Sequence, residues 1–498
     1  MKNTKLKRGF NSVTVFFLLL FNLGCEHILE EPYYSEMDTE KLLRTQSGVE
    51  AVLFEGYSKV ANMHANGSQH TLKREEMTTD ILTHSDGGEN RNAIQLINFT
   101  WDPECCDEQS FYWMPFWQAI RNANIVLENI SRVENVSEEY KEGIIGEARF
   151  IRAYAYYELW DQYGGVPLRT STSQPLDLPK AEEEELIEFM ISEFSAIQGV
   201  LPQPGQEQNY GRAHRVAAQA FLSMIYLNTR QWQKVVEISS TIMSSSFYGL
   251  FPDYGEMFAL QNERNNEFIW VRPAATNVPG AVNVTTATAF PWGFQKALDG
   301  GIAGVSDLGW TNYASQYRLR DAFYNSFEEG DKRRSRILTR YVNKQGDTID
   351  LRKDYQNATR SMKYPPDPLA TGLSHGNDIP KIRYAEILLS RAEALNELQG
   401  PNQESIDLIN QIRQRAGINS VELADFQSQD ELRNHILKER GWEFWYEAKR
   451  RRDLIRMGKF IEFAHQRGAA NAKEYHERFP FPQYAIDANP SLEQNEGY

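Results

Sequence analysis

The chain has 498 residues and a formal net charge of −15, so it is long enough for one large domain or for two to three smaller ones. Hydrophobic residues make up 41% and charged residues 24%, the balance of a globular protein, which excludes a disordered tail and a multi-span membrane protein. The negative charge argues against nucleic acid as a partner, because no positive field would offset phosphate repulsion.

Residues 1–24 predict a lipoprotein signal peptide. Four basic residues fall within the first eight positions, and the apolar run over 13–23 is too short to span a bilayer. The run ends at Leu23-Gly24-Cys25, so we expect Cys25 to carry the lipid. Ordinary secretory cleavage beside an incidental cysteine is the alternative.

Only two other cysteines occur, Cys105 and Cys106, and they are adjacent. A long-range disulfide framework is therefore impossible, and the core must be held by packing. The pair could form a strained vicinal disulfide in an oxidising compartment, or remain as two free thiols in a loop.

Helical spacing of apolar residues dominates most of the chain. It predicts a helix from Glu147 to Trp160, followed by helices over 181–201, 213–228 and 231–244. The last two are joined by a two-residue turn, which predicts an antiparallel hairpin of the tetratricopeptide type without a strict repeat period. Further helices are predicted over 383–398 and 403–416, with one long final helix from about Asp430 to Met457.

Residues 245–380 differ, because Gly, Pro, Asn and aromatic residues crowd there and helical periodicity fades except near 319–327. A weak alternation over 267–272 predicts a short strand. We therefore expect a mostly α fold: a degenerate tetratricopeptide-like hairpin scaffold over about 40–245 and 380–460, with a long, irregular, loop-rich insertion over about 245–380. Loops of that length are usually functional.

Catalytic signatures and metal-binding motifs are absent from the sequence, and the nine histidines are scattered. We therefore expect no enzyme activity, no cofactor and no metal. One acidic cluster on the predicted last helix could supply the paired carboxylates of a glycosidase. Neighbouring guanidinium groups keep carboxylates ionised, which a general acid cannot use, so we interpret the cluster as a structural ion-pair ladder. Its members are Glu439, Glu443, Glu447 and Asp453, interleaved with Arg440, Arg450 and Arg456.

Aromatic rings outside the helical patterns are candidates for ligand contact, because flat rings stack on sugars and loops can present them. These candidates are Trp101, Trp292, Trp310 and Tyr313. The alternative for each is that it packs a loop onto the scaffold. The remaining tryptophans lie on helical patterns or in the short strand and are expected in the core: Trp113, Trp117, Trp160, Trp232, Trp270, Trp442 and Trp445.

Several segments, in order along nearly the whole chain, resemble the SusD-like (RagB/SusD) family of outer-membrane nutrient-binding lipoproteins. The clearest is GEARFIRAYAYYELWDQYGGVPL at 146–168, and IRYAEILLSRAEALNE at 382–397 is also close. The others lie at 28–32, 113–124, 211–227, 409–417, 439–458 and in the last eighteen residues.

The resemblance implies a helical fold with about four tetratricopeptide-like hairpins in a single domain over 25–498. It also implies a surface protein lipid-anchored in the outer membrane, which passes its ligand to a SusC-like TonB-dependent transporter. Glycans are the usual ligand class, and peptides are known for some members. The matching segments belong to the scaffold, so the resemblance does not identify the ligand. A helical-repeat protein that takes up peptide or protein ligands remains the alternative.

Overall fold

The computed structural model describes residues 39–65, 71–84, 90–104, 107–310 and 317–498, without the side chains of 39, 62–65, 90–92 and 107–111. Four predictions fall outside these residues: the signal peptide over 1–24, lipidation at Cys25, the state of Cys105 and Cys106, and ligand contact by Tyr313. Within the described part, no helix is long and apolar enough to cross a membrane.

Helices make up most of the regular structure. In chain order they are α1 (Thr39–Leu42), α2 (Gln46–Ala65), α3 (Asn90–Asn98), α4 (Asp107–Asn129), α5 (Glu138–Tyr163), α6 (Glu183–Ala196), α7 (Arg215–Asn228), α8 (Trp232–Ser244), α9 (Thr285–Ala289), α10 (Asp321–Ser326), α11 (Tyr384–Gln399), α12 (Gln403–Ala416), α13 (Gln429–Phe444), α14 (Arg450–Arg456), α15 (Phe460–Gln466) and α16 (Gln483–Ala488). A π-helical turn covers Lys73–Met77.

The long helices pack in a continuous series. Helix α2 contacts α4, which contacts α5, and the contacts continue through α6, α7 and α8 to α11, which also packs against α7, α12 and α13. Local signals set several ends: the Ser137 side chain accepts the Tyr140 N–H to begin α5, and Gly164, at φ +71°, follows its last residue. The predicted helical hairpin scaffold is confirmed.

Eight of the nine short strands among the described residues lie in the predicted insertion or at its C-terminal border, and the first lies in the N-terminal part of the chain. They are β1 (Leu82–His84), β2 (Phe268–Arg272), β3 (Phe294–Ala297), β4 (Tyr317–Leu319), β5 (Ile337–Leu338), β6 (Arg340–Asn343), β7 (Thr348–Asp350), β8 (Arg360–Ser361) and β9 (Ile379–Arg383). All pairings are antiparallel: β1 with β4, β2 with β9, β5 with β8, and β3-β6-β7 in one sheet.

The scaffold and the loop-rich insertion share one hydrophobic core. Buried rings of the insertion, such as Phe258 and Phe290, belong to the same cluster as Phe150 and Phe221 of the helices. Trp270 of β2 lies edge-on to Phe150 at 5.2 Å, which confirms its predicted place in the core. The insertion is therefore packed against the helices and contributes to the same core.

The predicted continuous last helix is wrong. Helix α13 ends at Phe444, and α14 begins only at Arg450. Between them Tyr446 and Ala448 adopt φ +63° and +59°, values that a helix cannot contain. The carboxylate of Glu76 accepts the N–H groups of both residues, at 2.9 and 2.8 Å. Long-range hydrogen bonds thus stabilise a break that local periodicity does not reveal.

Candidate functional site

Two of the four candidate ring residues meet at one pocket. The pocket has a volume of about 360 Å³ and opens on the β3-β6-β7 sheet. Its lining residues are Phe290, Trp292, Gly293, Phe294, Asp307, Trp310, Lys344 and Gln345. We call this the ring pocket.

Strand pairing places Trp292 beside the β6–β7 turn. Phe294, at the start of β3, is the register partner of Asn343, at the end of β6. The residues just outside this pair are joined as well, since the Lys344 N–H donates to the Gly293 carbonyl at 2.9 Å. The Tyr341 hydroxyl donates to the Trp292 carbonyl at 3.1 Å. The backbone at Trp292 is held from two sides while its side chain stays 77% exposed.

Trp310 forms the buried wall of the ring pocket. It is only 8% exposed, and its ring stacks on Phe290 with centroids 5.3 Å and planes 11° apart. His375 lies against both rings, at centroid distances of 5.9 and 6.3 Å. Burial lowers the pKa of His375 to about 4, so the imidazole is neutral at pH 7. This wall is aromatic and uncharged.

An ion pair closes the opposite side of the ring pocket. Lys344 Nζ lies 3.0 Å from Asp307 Oδ2. The position of Asp307 is fixed by its own turn: its N–H donates to the Gln295 carbonyl at 2.8 Å, and its carboxylate accepts the Gly309 N–H at 2.9 Å. The single cation and the single carboxylate of the lining therefore compensate each other.

Trp101, the third candidate ring, does not line the ring pocket but lies in a buried packing environment. The ring is 4% exposed and packs between Phe99, His476 and Phe479, with centroids 4.7–5.0 Å away. Its indole N–H donates to the Tyr498 hydroxyl at 2.7 Å. A ring with its faces covered and its polar atom satisfied is a packing residue. The loss of helical periodicity around Trp101 marked a loop, but a buried one.

Sequence reasoning missed the polar half of the ring pocket. Asp307, Lys344 and Gln345 carry no motif, and they reach the pocket only through turns whose position depends on strand register. One usable signal existed: Asn343-Lys344-Gln345-Gly346-Asp347 has the composition of a hairpin turn. Gly346 adopts φ +91° there, and Asn343 Oδ1 accepts the N–H groups of Gln345 and Asp347.

The acidic cluster near the C-terminus is a buried ion-pair network, as predicted, although its partners differ. Glu443 contacts Arg383 at 3.0 Å and Arg415 at 2.6 Å. Burial opposes ionisation of Glu443, but these guanidinium groups outweigh it and lower its pKa to about 2. Arg415 and Arg383 also both pair with Glu267. A carboxylate held so firmly ionised cannot act as a general acid.

Arg450 is the member of the predicted ladder with a different partner. On one continuous helix the sequence spacing would place Arg450 on the same face as Glu443 and Glu447, but the break after Phe444 turns the chain and separates them. Arg450 instead donates to both carboxylate oxygens of Asp80, at 2.8 and 2.9 Å, and to the Leu437 carbonyl at 2.7 Å.

Two sequence-family models match this chain. A family model described as "SusD family" matches residues 370–498. A second, described as "Starch-binding associating with outer membrane", matches residues 29–227. The two matches do not overlap and together include both parts of the helical scaffold.

Individual proteins agree with the family models. "SusD-like protein P25" of Formosa agariphila is 26% identical, over 98% of this chain and 99% of that protein. "Starch-binding protein SusD" of Bacteroides thetaiotaomicron is 24% identical, over 82% of each. Among solved structures, a laminarin-binding SusD-like protein has a TM-score of 0.77 at 22% identity, over 91% of this chain and 100% of that one. The helical scaffold, the two family matches and these relatives together show that the chain belongs to the SusD-like family.

Proposed function

We propose that the protein binds glycan nutrients, oligosaccharides or polysaccharides, at the ring pocket without chemical conversion. The observation that carries this proposal is the exposed ring of Trp292 beside the stacked Trp310 and Phe290. Exposing a whole indole to water is unfavourable unless a ligand covers it, and sugar C–H faces match such a ring. The starch- and laminarin-binding names of the relatives support the same ligand class.

The pocket's charge favours an uncharged sugar. Its one lysine is neutralised by Asp307 at 3.0 Å, and the buried His375 is neutral at pH 7. An acidic glycan would find no free cation there and would approach a chain of net charge −15. Gln345 and the Asp307–Lys344 pair can exchange hydrogen bonds with hydroxyl groups.

The ligand is then delivered to a SusC-like TonB-dependent transporter in the outer membrane, on whose extracellular side the protein is held by a lipid on Cys25. The outer-membrane wording of the family model and the signal-peptide pattern support this part of the proposal. Replacing Cys25 by Ala should release the protein from the membrane fraction of cells that lack the transporter. Continued membrane binding of that variant would refute the anchor.

The ligand class is tested by titrating oligosaccharides and peptides into the purified protein while watching for product. We expect binding of a neutral oligosaccharide without cleavage, weakened at least about tenfold in Trp292→Ala at an unchanged melting temperature. Leu176→Ala is the matched control, because Leu176 is 84% exposed and lies away from the pocket. Binding of peptides alone would establish the peptide-uptake alternative, and product formation would contradict both.

A further inference from the structure

A second cavity, distinct from the ring pocket, is strongly basic. It has a volume of about 610 Å³ and lies between α10, α13 and α15. Five of its lining side chains are cations: Arg320, Lys438, Arg450, Lys459 and Arg467. Only two are carboxylates, Asp80 and Glu462. This excess of positive charge occurs in a chain of net charge −15. We call this cavity the basic pocket.

Both carboxylates of the basic pocket form ion pairs with cations of the same pocket. Asp80 accepts both hydrogen bonds of the Arg450 fork, at 2.8 and 2.9 Å. Glu462 accepts from Lys459 at 2.7 Å. Three cations then remain, and among the residues that the structure describes no carboxylate lies within 4.0 Å of Arg320, Lys438 or Arg467. The described lining thus has a net charge of +3, and three of its cations form no ion pair with a described carboxylate.

Arg320 and Arg467 are held in this unfavourable state by the fold. Arg467 donates to the carbonyls of Ile97 and Thr78, at 2.7 and 3.0 Å, which fixes the guanidinium but supplies no negative charge. Two nitrogens of Arg320, Nε and Nη2, are buried without a hydrogen-bond partner, as is Nε of Arg467. Both side chains are half-buried, and buried N–H groups that lack a partner are costly, so such a pair is unusual unless something occupies the pocket.

The electrostatics agree with this geometry. Burial lowers the pKa of Arg320 to about 10, and the charge of Asp80 offsets only part of that effect. Burial, with repulsion from Arg320, lowers the pKa of Arg467 to about 9. The two guanidinium groups therefore destabilise each other's charge, which an anion between them would reverse.

We propose that the basic pocket binds a tetrahedral oxyanion, sulfate or phosphate, between Arg320 and Arg467 with Lys438 at its rim. Guanidinium forks match the paired oxygens of such ions, and Lys438 adds an exposed point charge. The cavity is far larger than the ion alone, and Phe323 and Phe463 line it as well. The oxyanion is therefore either free or carried as an ester on a sugar whose ring covers these phenyl groups.

The test measures thermal stability and binding of the full chain in sodium sulfate, sodium phosphate and sodium chloride at equal ionic strength. We expect sulfate and phosphate to raise the melting temperature above its value in chloride. Comparing galactose 6-sulfate with galactose in the same assay distinguishes a free oxyanion from a sugar ester. Tighter binding of the sulfated sugar than of sulfate assigns an ester ligand, and binding of the inorganic ions alone assigns a free one.

Variants locate the site. Arg320→Gln should weaken sulfate binding by about tenfold or more, and Lys438→Gln by a smaller factor. Arg44→Gln is the control, because it removes one charge from an exposed pair with Glu40 on the scaffold surface. If Arg320→Gln fails to fold, the sulfate affinity of Lys438→Gln tests the site by itself, because Lys438 is exposed and its substitution should not affect folding. Equal stabilisation by chloride and sulfate, or unchanged sulfate affinity in the pocket variants, would overturn the proposal.

Discussion

Glu76 and Tyr446 are separated by 370 positions, yet the carboxylate of one accepts the backbone N–H of the other at 2.9 Å. Glu76 belongs to the buried π-helical turn, and its second oxygen accepts the Ala448 N–H. Lys363 Nζ completes the arrangement by donating to the carbonyls of Trp445 and Glu443, at 2.6 and 3.1 Å. Side chains distant in sequence therefore take the place of helical hydrogen bonds between α13 and α14.

Glu76→Gln should destabilise the fold by about 1–3 kcal/mol, because both oxygens of the carboxyl group can accept a hydrogen bond in either protonation state, whereas the amide nitrogen that replaces one of them cannot. Burial raises the pKa of Glu76 to about 8, although the N–H groups of Ala448 and Tyr446 oppose the shift. Because the pKa of Glu76 is higher in the folded protein than its ordinary value of 4.5, protonation of Glu76 stabilises the fold. This stabilisation is fully present below pH 4.5 and is lost as the pH rises through about 8. The loss on substitution should therefore be larger at pH 5.5 than at pH 8.5 in urea unfolding. A difference independent of pH would contradict this assignment.

Trp101→Ala should lower the free energy of unfolding by about 3–5 kcal/mol, since it empties a site walled by Phe99 and Phe479. Trp101→Phe keeps most of the packing but loses the hydrogen bond to Tyr498, so about 1 kcal/mol is expected. Denaturant unfolding measures both values. Any of these variants that folds should bind a glycan at the ring pocket with unchanged affinity. A variant with wild-type stability but weaker glycan binding would show that Trp101 contacts the ligand.

Gly293→Ala should weaken glycan binding through the backbone. Gly293 has φ +67°, and a Cβ there would meet no atom within 4 Å, so the substitution brings strain without a clash. The strain amounts to about 1–2 kcal/mol, and the loop can relieve it by moving its neighbour Trp292. Gly205→Ala is the matched control, because Gly205 has φ +78° and equally open surroundings. Calorimetric titration should show reduced affinity in the first variant only, at similar losses of stability.

Arg450→Ala should cost about 1–3 kcal/mol, because Asp80 then loses both hydrogen bonds of the guanidinium fork. A double-mutant cycle tests the geometry. A Cβ on Gly441 would lie 2.9 Å from Arg450 Nη1, so Gly441→Ala should destabilise the wild type but not the Arg450→Ala background. Additive effects in chemical denaturation would mean that Gly441 and Arg450 do not interact. Glycan affinity should be retained in each folded variant.

Helices with local end signals were predictable from the sequence. The range 403–416 matches α12 at both ends, because Asn402 accepts the Ser405 N–H and Gly417 adopts φ +75° just beyond. Those signals lie within a few residues of the helix and need no knowledge of the rest of the chain. The break at Trp445 has no such signal, since Glu76 and Lys363 produce it from afar.

The candidate site was predictable only where a local sequence signal marked its residues. Trp292 and Trp310 stood out as rings outside helical patterns, and the structure brings both to the ring pocket. The same criterion selected Trp101, because loss of periodicity does not distinguish an exposed loop from one covered by the C-terminal residues. Lys344 and Asp307 could not be paired in advance, since their contact depends on the register of β3 against β6.

The buried charges around Arg383 have a consequence for the order of folding. The ion-paired residues of this network lie between positions 267 and 447, and each buried charge is neutralised by the others. A shortened chain that ends before α13 would leave Arg383 and Arg415 without Glu443, buried beside an incomplete set of carboxylates. We therefore expect the part of the core around Arg383 to close only when nearly the whole polypeptide is present, a step that depends on long-range contacts and is slow. Incomplete chains should remain open and be degraded rather than accumulate as partly active fragments.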